Sequence, residues 1–271
     1  MISLILIFAT LFAGQTKEEP IQCEGRHRQG FALICKTEAH AGIRFGDATT
    51  RADALGWVVI GHDRDAPPST VLSVETNHLM YTTTIHVEQR KYNVQRIEGL
   101  EKRFIEPTKK ALERIRREAN TKAEAYKSLW QEIGFANGFI MPVDGVLTGV
   151  YGSQRFYNGH AGRPHYGIDI ASPAGSPVIA PASGIVTLAN DNMYYEGGLI
   201  FIDHGQGLTS AFLHLSEIYV REGDVVEKAD MIGSVGSSGR STGAHLDWRV
   251  KWRNRFIDPL SLIRLNTQSF R

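Results

Sequence analysis

His165-Tyr166-Gly167-Ile168-Asp169 is answered far downstream by His245-Leu246-Asp247, and the reading of the chain turns on these two stretches. The first sets an imidazole and a carboxylate four residues apart, where a loop meets an apolar strand through Ile168 and Ile170. In the second, residues two apart on a strand share a face, so His245 and Asp247 point together into one groove. A further histidine, His214, sits in the strand-like run Ala211-Phe212-Leu213-His214-Leu215. Three nitrogen and oxygen donors with a fourth position open are what a catalytic zinc site requires. A histidine and an aspartate this close are common by chance, so the pentapeptide is a weak signal alone and takes its weight from the other two runs.

Outward from these stretches the chain divides. From about Phe139 to Leu265 it is rich in glycine and strand-like, with runs such as Gly184–Ala189, Gly198–Asp203 and Ser210–Leu215. Between Glu106 and Ile133 the period changes: Leu112, Ile115, Ala119, Tyr126, Trp130 and Ile133 recur as on one helical face, and Pro107 suits a first turn. The charges between them read as a solvated face. Upstream, short β-rich runs (Phe31–Cys35, Trp57–Ile60, Thr70–Val74, Tyr81–Val87) alternate with turn residues. The expectation is a mainly β protein: a small N-terminal β domain over 21–95, a linking amphipathic helix over 106–134, and a C-terminal antiparallel β domain over 139–265 with an open groove. A length of 271 residues fits two domains at roughly 100–200 residues each.

Lys and Arg number 30 against 29 Asp and Glu. That near-neutral balance argues against nucleic acid as a partner, which leaves a basic footprint. The apolar run Met1–Gly14 is short for a bilayer span and suits a signal peptide over 1–14, ahead of polar Gln15–Glu19, although a basic start is missing. A buried strand or helix is the other reading of such a run. With the signal removed, no stable membrane span is expected. The two cysteines, Cys23 and Cys35, suit a short disulfide loop in an oxidising compartment. Two unlinked buried thiols are the alternative.

Several segments of the C-terminal half, in order, resemble the lysostaphin/LytM-type zinc metallopeptidases, the peptidoglycan endopeptidase family. Tyr151-Gly152 with Arg155 is similar to the family's opening turn, and His165–Ala171 to its first zinc motif. Gly175–Val186 is similar to its core segment, Ile202–Gly205 and Ser210–Leu215 to the strands around one catalytic histidine, and Ile232–Leu246 to its final motif. The resemblance implies that His165 and Asp169 are metal ligands, that His214 and His245 handle the water and the developing oxyanion, and that His204 is structural. Asp247 stands at the third ligand position, where the family has the second histidine of a His-x-His pair. Phe212 stands where the family often has tyrosine. Lys91–Leu100 is similar, more distantly, to leader segments of some members, which implies an N-terminal region that covers or orients the groove.

Aspartate is a legitimate zinc ligand at roughly 2.0–2.2 Å. Two carboxylates with one imidazole reduce the ion's effective charge, and harder ligands make Mn2+ or Fe2+ more competitive with Zn2+. The implied activity is a periplasmic or secreted metal-dependent endopeptidase acting on peptidoglycan stem peptides with one ion. Its competitor is a degenerate domain of the same fold that binds the wall or activates an amidase. A lipoyl- or biotin-type carrier shares glycine-rich hairpins but has no use for His165, Asp169, His214 and His245 together. Trp248–Arg255 alternates aromatic and basic residues. It reads either as a basic rim for substrate carboxylates or, more simply, as a strand with one buried aromatic face. Tyr194 and Tyr195 either line the groove or turn the chain. The remaining histidines, His27, His40, His62, His78, His86 and His160, lack partner spacing.

Overall fold

The computed structural model describes residues 19–265 and 267–270. The expected signal segment lies outside the described residues. Among them no helix is long and apolar enough to cross a membrane.

The protein is mainly β. Before the long helix run β1 (Ile21–Glu24), β2 (Ala32–Thr37), β3 (Gly42–Phe45), β4 (Ala48–Arg51), β5 (Trp57–Gly61), β6 (Ser69–Glu75), β7 (Met80–His86) and β8 (Val94–Ile97); the helix is α1 (Lys109–Ala125). After it come β9 (Val146–Gly149), β10 (Gln154–Tyr157), β11 (His160–Pro164), β12 (Gly167–Ala171), β13 (Pro177–Ile179), β14 (Gly184–Met193), β15 (Gly197–Asp203) and β16 (Leu208–Leu215). The chain closes with β17 (Glu217–Ile218), β18 (Val225–Val226), β19 (Met231–Ser234), β20 (His245–Trp252), β21 (Arg255–Ile257) and α2 (Pro259–Ile263).

The C-terminal half is built on an eight-stranded sheet of order β18-β14-β15-β16-β20-β12-β9, with β21 continuing along β20. Its named pairings are antiparallel. The middle strands β15 and β16 are buried along their whole length, as expected of strands covered on both faces. In β20 the even positions Leu246, Trp248, Val250 and Trp252 are fully buried, whereas His245, Asp247, Arg249 and Lys251 share the opposite face. Trp248 and Trp252 therefore anchor the core.

In the N-terminal half β1-β2-β5 and β4-β3-β6-β7 form two small sheets. Cys23 and Cys35 are register partners on β1 and β2 and form a disulfide. The core is continuous across the halves: Ile34, Val58 and Ile60 belong to the same buried cluster as Ile168, Trp248 and Trp252. Polar ties reinforce it. Arg255 donates to the carbonyls of Gly61 and Phe45, each at 2.9 Å, and Arg90 pairs with Asp258 at 2.9 Å.

β8 leaves the N-terminal sheets and pairs in parallel with β10, making a sheet β11-β10-β8 beside the large one. α1 is capped by Thr108, whose hydroxyl accepts from the Ala111 amide at 3.3 Å, so Pro107 stands just outside the helix. None of its residues is fully buried. It docks through part of the charge run expected to face solvent. Arg114, Glu118 and Lys122, one turn apart, reach Asn192, the Tyr194 amide and Glu196. Tyr126 then closes the contact by packing on Phe201, ring centroids 4.4 Å apart.

His62 and His204, outside the cleft, are buried neutral. The Nδ1 of His27 and the Nε2 of His62 lie 3.1 Å apart against Phe45. Burial, helped by His27 and Arg255, pushes His62 down to about 3. His204 donates from Nδ1 to the Ser183 carbonyl at 2.9 Å and accepts from the Ser210 hydroxyl at Nε2, 2.8 Å, and burial pushes it down to about 4. Unfolded histidines titrate near 6.5. Between that pH and about 4 the unfolded chain therefore binds protons that the folded chain refuses, and stability falls as pH falls, by roughly 1 kcal/mol per pH unit for each histidine. Urea midpoints measured from pH 7.5 to 4.5 should decline steadily below pH 6.5, less steeply for His62→Gln; a flat profile would contradict this account.

Candidate active site

Antiparallel pairing of β12 with β20 sets Asp169 directly opposite Asp247. His165 precedes β12 and is fixed by its backbone: its amide donates to the Ser153 carbonyl at 2.8 Å, and its carbonyl accepts from the Gly152 amide at 2.7 Å. One ligand atom each from His165, Asp169 and Asp247 lies within 4.8 Å of the other two. All three residues are buried. Both ring nitrogens of His165 and Oδ1 of Asp169 are buried without a hydrogen-bond partner. His165 Nε2 lies 3.2 Å from that Oδ1, within ion-pair reach but without hydrogen-bond geometry. Orphaned buried polar atoms are rare and mark places where an ion or water completes the set. Two glycines give the carboxylates room: a Cβ on Gly149 would strike Asp169 Oδ2 at 2.1 Å, and one on Gly167 would reach Asp247 Oδ1 at 2.9 Å.

Each carboxylate is held by an arginine. Arg249, two residues along the same face of β20, donates to Asp247 from Nε at 3.0 Å to Oδ1 and 3.2 Å to Oδ2, and from Nη2 at 2.6 Å to Oδ2. Arg155 on β10 donates to Asp169 Oδ2, and its Nε donates to the Gln95 side chain on β8 at 2.9 Å. Burial pushes both carboxyls up, but it is outweighed. At Asp247, Arg249, His165 and Arg155 hold the group well below the usual carboxylate range. At Asp169, His165 and Arg155 prevail over burial and the Asp247 charge, again lowering it. Both are therefore anionic at neutral pH. A carboxylate has about four lone-pair sites, so an arginine fork leaves positions for an ion. The donor set suits one divalent cation, and hydrogen-bonded outer partners of this kind orient metal-binding carboxylates.

His214 and His245 face this cluster, their ring centroids 4.8 Å apart. His214 lies on β16 next to Leu213, the register partner of Asp247. Strict alternation would turn His214 to the core side with Phe212, which is fully buried. Its left-handed backbone, φ 68°, breaks the alternation and brings it to the cleft. A non-glycine residue in that region stores strain of the kind found at functional sites. Its Nδ1 donates to the Ser238 carbonyl at 2.7 Å, which leaves Nε2 as the acceptor. Burial pushes His214 down to about 4, so it is neutral at pH 7. His245 is similarly held, Nδ1 to the Gly243 carbonyl at 2.8 Å, with Nε2 3.9 Å from Asp169 Oδ1.

The five residues singled out in the sequence thus line one cleft of about 790 Å³. The N-terminal half contributes to its walls through Ile97, Leu100 and Phe104. Sequence reasoning missed three partners. In the sequence Arg249 reads with the strand's outer face or a basic rim, yet it turns in on Asp247; its i, i+2 spacing from Asp247 is the available signal. Arg155 reads in the sequence only as part of a turn. Gln95 carried no signal, because its role depends on the parallel pairing of β8.

Comparison with known proteins places residues 163–259 in a match to the family described as Peptidase family M23. The DD-carboxypeptidase/endopeptidase Mpg of Neisseria meningitidis serogroup B is 39% identical over 103 residues, 38% of this chain and 24% of that protein. The peptidoglycan DD-endopeptidase ShyA of Vibrio cholerae serotype O1 is 37% identical over 97 residues, 36% of this chain and 22% of that protein. The chain thus spans about a quarter of the length of these relatives. A crystal structure from Pseudomonas aeruginosa, described as that of a candidate M23 peptidase, matches with a TM-score of 0.67 at 27% identity, covering 88% of this chain and 95% of that one.

Removing Arg249 leaves Asp247 a buried charge without its hydrogen-bonded partner. Arg249→Ala is expected to cost about 3 kcal/mol in metal-free protein, the lower end for loss of one partner of a buried pair, because 28% of the Arg249 side chain is exposed. Urea unfolding measures it; a loss under about 1 kcal/mol would mean the pair behaves as a surface ion pair.

Proposed function

We propose that this chain, which carries a domain of peptidase family M23 at residues 163–259, is a metal-dependent endopeptidase that hydrolyses peptide cross-links of peptidoglycan. The observation that carries the reading is the convergence of His165, Asp169 and Asp247, with orphaned donor atoms, opposite the imidazoles of His214 and His245. The substrate class comes from the relatives named as peptidoglycan DD-endopeptidases. The Cys23–Cys35 disulfide supports action outside the cytoplasm, in the periplasm or beyond.

In this reading His165, Asp169 and Asp247 hold one divalent ion, zinc by default. When bound, that ion supplies a Lewis acid for the scissile carbonyl and acidifies a water. The chain's own residues do the rest. Arg155 and Arg249 hold the two carboxylates in place and balance their charge. Of the two imidazoles, one accepts a proton from the attacking water at its free Nε2 and delivers it to the departing amine. The other stabilises the oxyanion as an imidazolium, donating from a protonated Nε2 because its Nδ1 proton is spent on a backbone carbonyl. The fixed Nδ1 bonds to Ser238 and Gly243 keep both Nε2 atoms directed at the cleft. The cleft walls from β8 and the segment after it exclude water from one side and limit the width of the peptide that enters.

One observation favours a second reading, in which the domain binds the wall or activates an amidase without hydrolysis: Arg249 engages both oxygens of Asp247.

Metal analysis and digestion of purified peptidoglycan with the same preparations separate the two. The full chain, reconstituted with zinc and dialysed, should hold one ion and release cross-linked muropeptides. Asp247→Ala should lose both. His214→Ala and His245→Ala should keep the ion and lose about 10²- to 10³-fold in kcat. Wild type that takes up no metal and cuts no wall, beside an Asp247→His variant that does both, would establish the non-hydrolytic reading.

A further inference from the structure

The charges of the cleft do not balance. Three acidic side chains line it, and each is already paired: Asp169 with Arg155, Asp247 with Arg249, and Glu196 with Lys122. Two arginines on the same walls, Arg163 and Arg240, have no carboxylate within salt-bridge reach among the described residues. The two differ. Arg163 is exposed on β11, whereas Arg240 is half-buried and fixed. Its guanidinium lies 4.5 Å from the Tyr157 ring and 4.5 Å from the Tyr195 ring. Its amide donates to the Tyr195 carbonyl at 2.8 Å, which ties the loop to the turn between β14 and β15. The rings attract the cation but accept none of its in-plane N–H bonds in the way an oxygen does, and no side-chain hydrogen bond from Arg240 is present among the described residues. A planar fork held between aromatic rings with its N–H groups unspent is suited to a carboxylate.

Its position is close to the chemistry. The neighbouring residue, Ser241, has its hydroxyl 3.3 Å from His245 Nδ1. Tyr157 shares a face of β10 with Arg155, which grips Asp169, so one strand supports both the cluster and the free arginine.

We infer that Arg240 is a specificity residue that binds a carboxylate of the peptide substrate beside the scissile bond, so that the cleft takes anionic peptides and discriminates against their amidated forms. This rests on the endopeptidase reading above. The carboxylate has two possible sources on a wall peptide, the chain's terminal carboxyl and a side-chain carboxyl, which share their chemistry.

The test uses the full chain with zinc and three versions of one cross-linked peptide: unmodified, amidated at the terminus, and amidated at the side chain. Wild type should prefer the unmodified peptide by about 10- to 100-fold in kcat/KM over one amidated version, chiefly through KM, and that version names the source. In Arg240→Gln the preference should collapse. In Arg240→Lys it should survive in part, as a point charge without the fork. A merely structural role for Arg240 would slow all three peptides together and leave the ratios intact. That result, or a wild type indifferent to both amidations, overturns the inference. If no peptide is cut at all, the endopeptidase reading fails separately, and calorimetric binding of the same peptides decides the matter. Affinity that falls on amidation in wild type but not in Arg240→Gln upholds the assignment; equal affinities refute it.

Discussion

Two carboxylates, Asp169 and Asp247, stand opposite each other across a buried strand pair, and the rest of the site is arranged around that repulsion. Isolated, such charges would neutralise by taking up protons, as like charges in a buried site do. Here each meets an arginine, and His165 lies against Asp169. The two guanidiniums come from opposite flanks, Arg249 from the same strand as its partner and Arg155 from a neighbouring sheet. Because the pairs are built from fixed strands, both carboxylates stay ionised and stay aimed, which is the condition for holding a cation.

The same constraint ties the N-terminal half to the site. Arg155 is steadied by Gln95 on β8, and β8 reaches it because the chain leaves the N-terminal sheets and pairs in parallel with β10. The shared core around Trp248 and Trp252, with the Arg255 and Arg90 ties, joins the two halves on which that pairing rests. The N-terminal half therefore acts on the cleft in two ways, through its walls and through the Gln95–Arg155–Asp169 chain. A change in how β8 pairs would reach the carboxylates without touching them.

What the sequence disclosed follows from period and spacing. Alternation in β20 separates the tryptophans from His245 and Asp247, and that separation is local, so it is visible in the residues. The motif order likewise located the five residues that share the cleft. What stayed hidden depends on partners far away in the chain. His214 reads as an ordinary strand residue because nothing in Ala211–Leu215 announces a left-handed backbone; the pairing around it imposes that conformation. The charges of α1 read as solvent-facing because Asn192, Tyr194 and Glu196, which receive Arg114, Glu118 and Lys122, lie more than a sheet away in sequence. His27 and His62 look unrelated until the small sheets fold together.

In the proposed site, a carboxylate at position 247 in place of the histidine that the family resemblance implies changes more than ligand length. By the family pattern the third position adds no charge, whereas Asp247 adds one negative charge to the cluster. Arg249 adds one positive charge on the same strand face, in contact with it. The formal charge around an ion is thus what a histidine would have left, while the donor atom becomes a harder oxygen. Accepting hydrogen bonds from the guanidinium also weakens the carboxylate as a ligand to a cation, which moves its field nearer to that of a neutral ligand. Aspartate with its arginine is therefore best understood as one unit, and the behaviour of the site toward metal depends on both members of the pair.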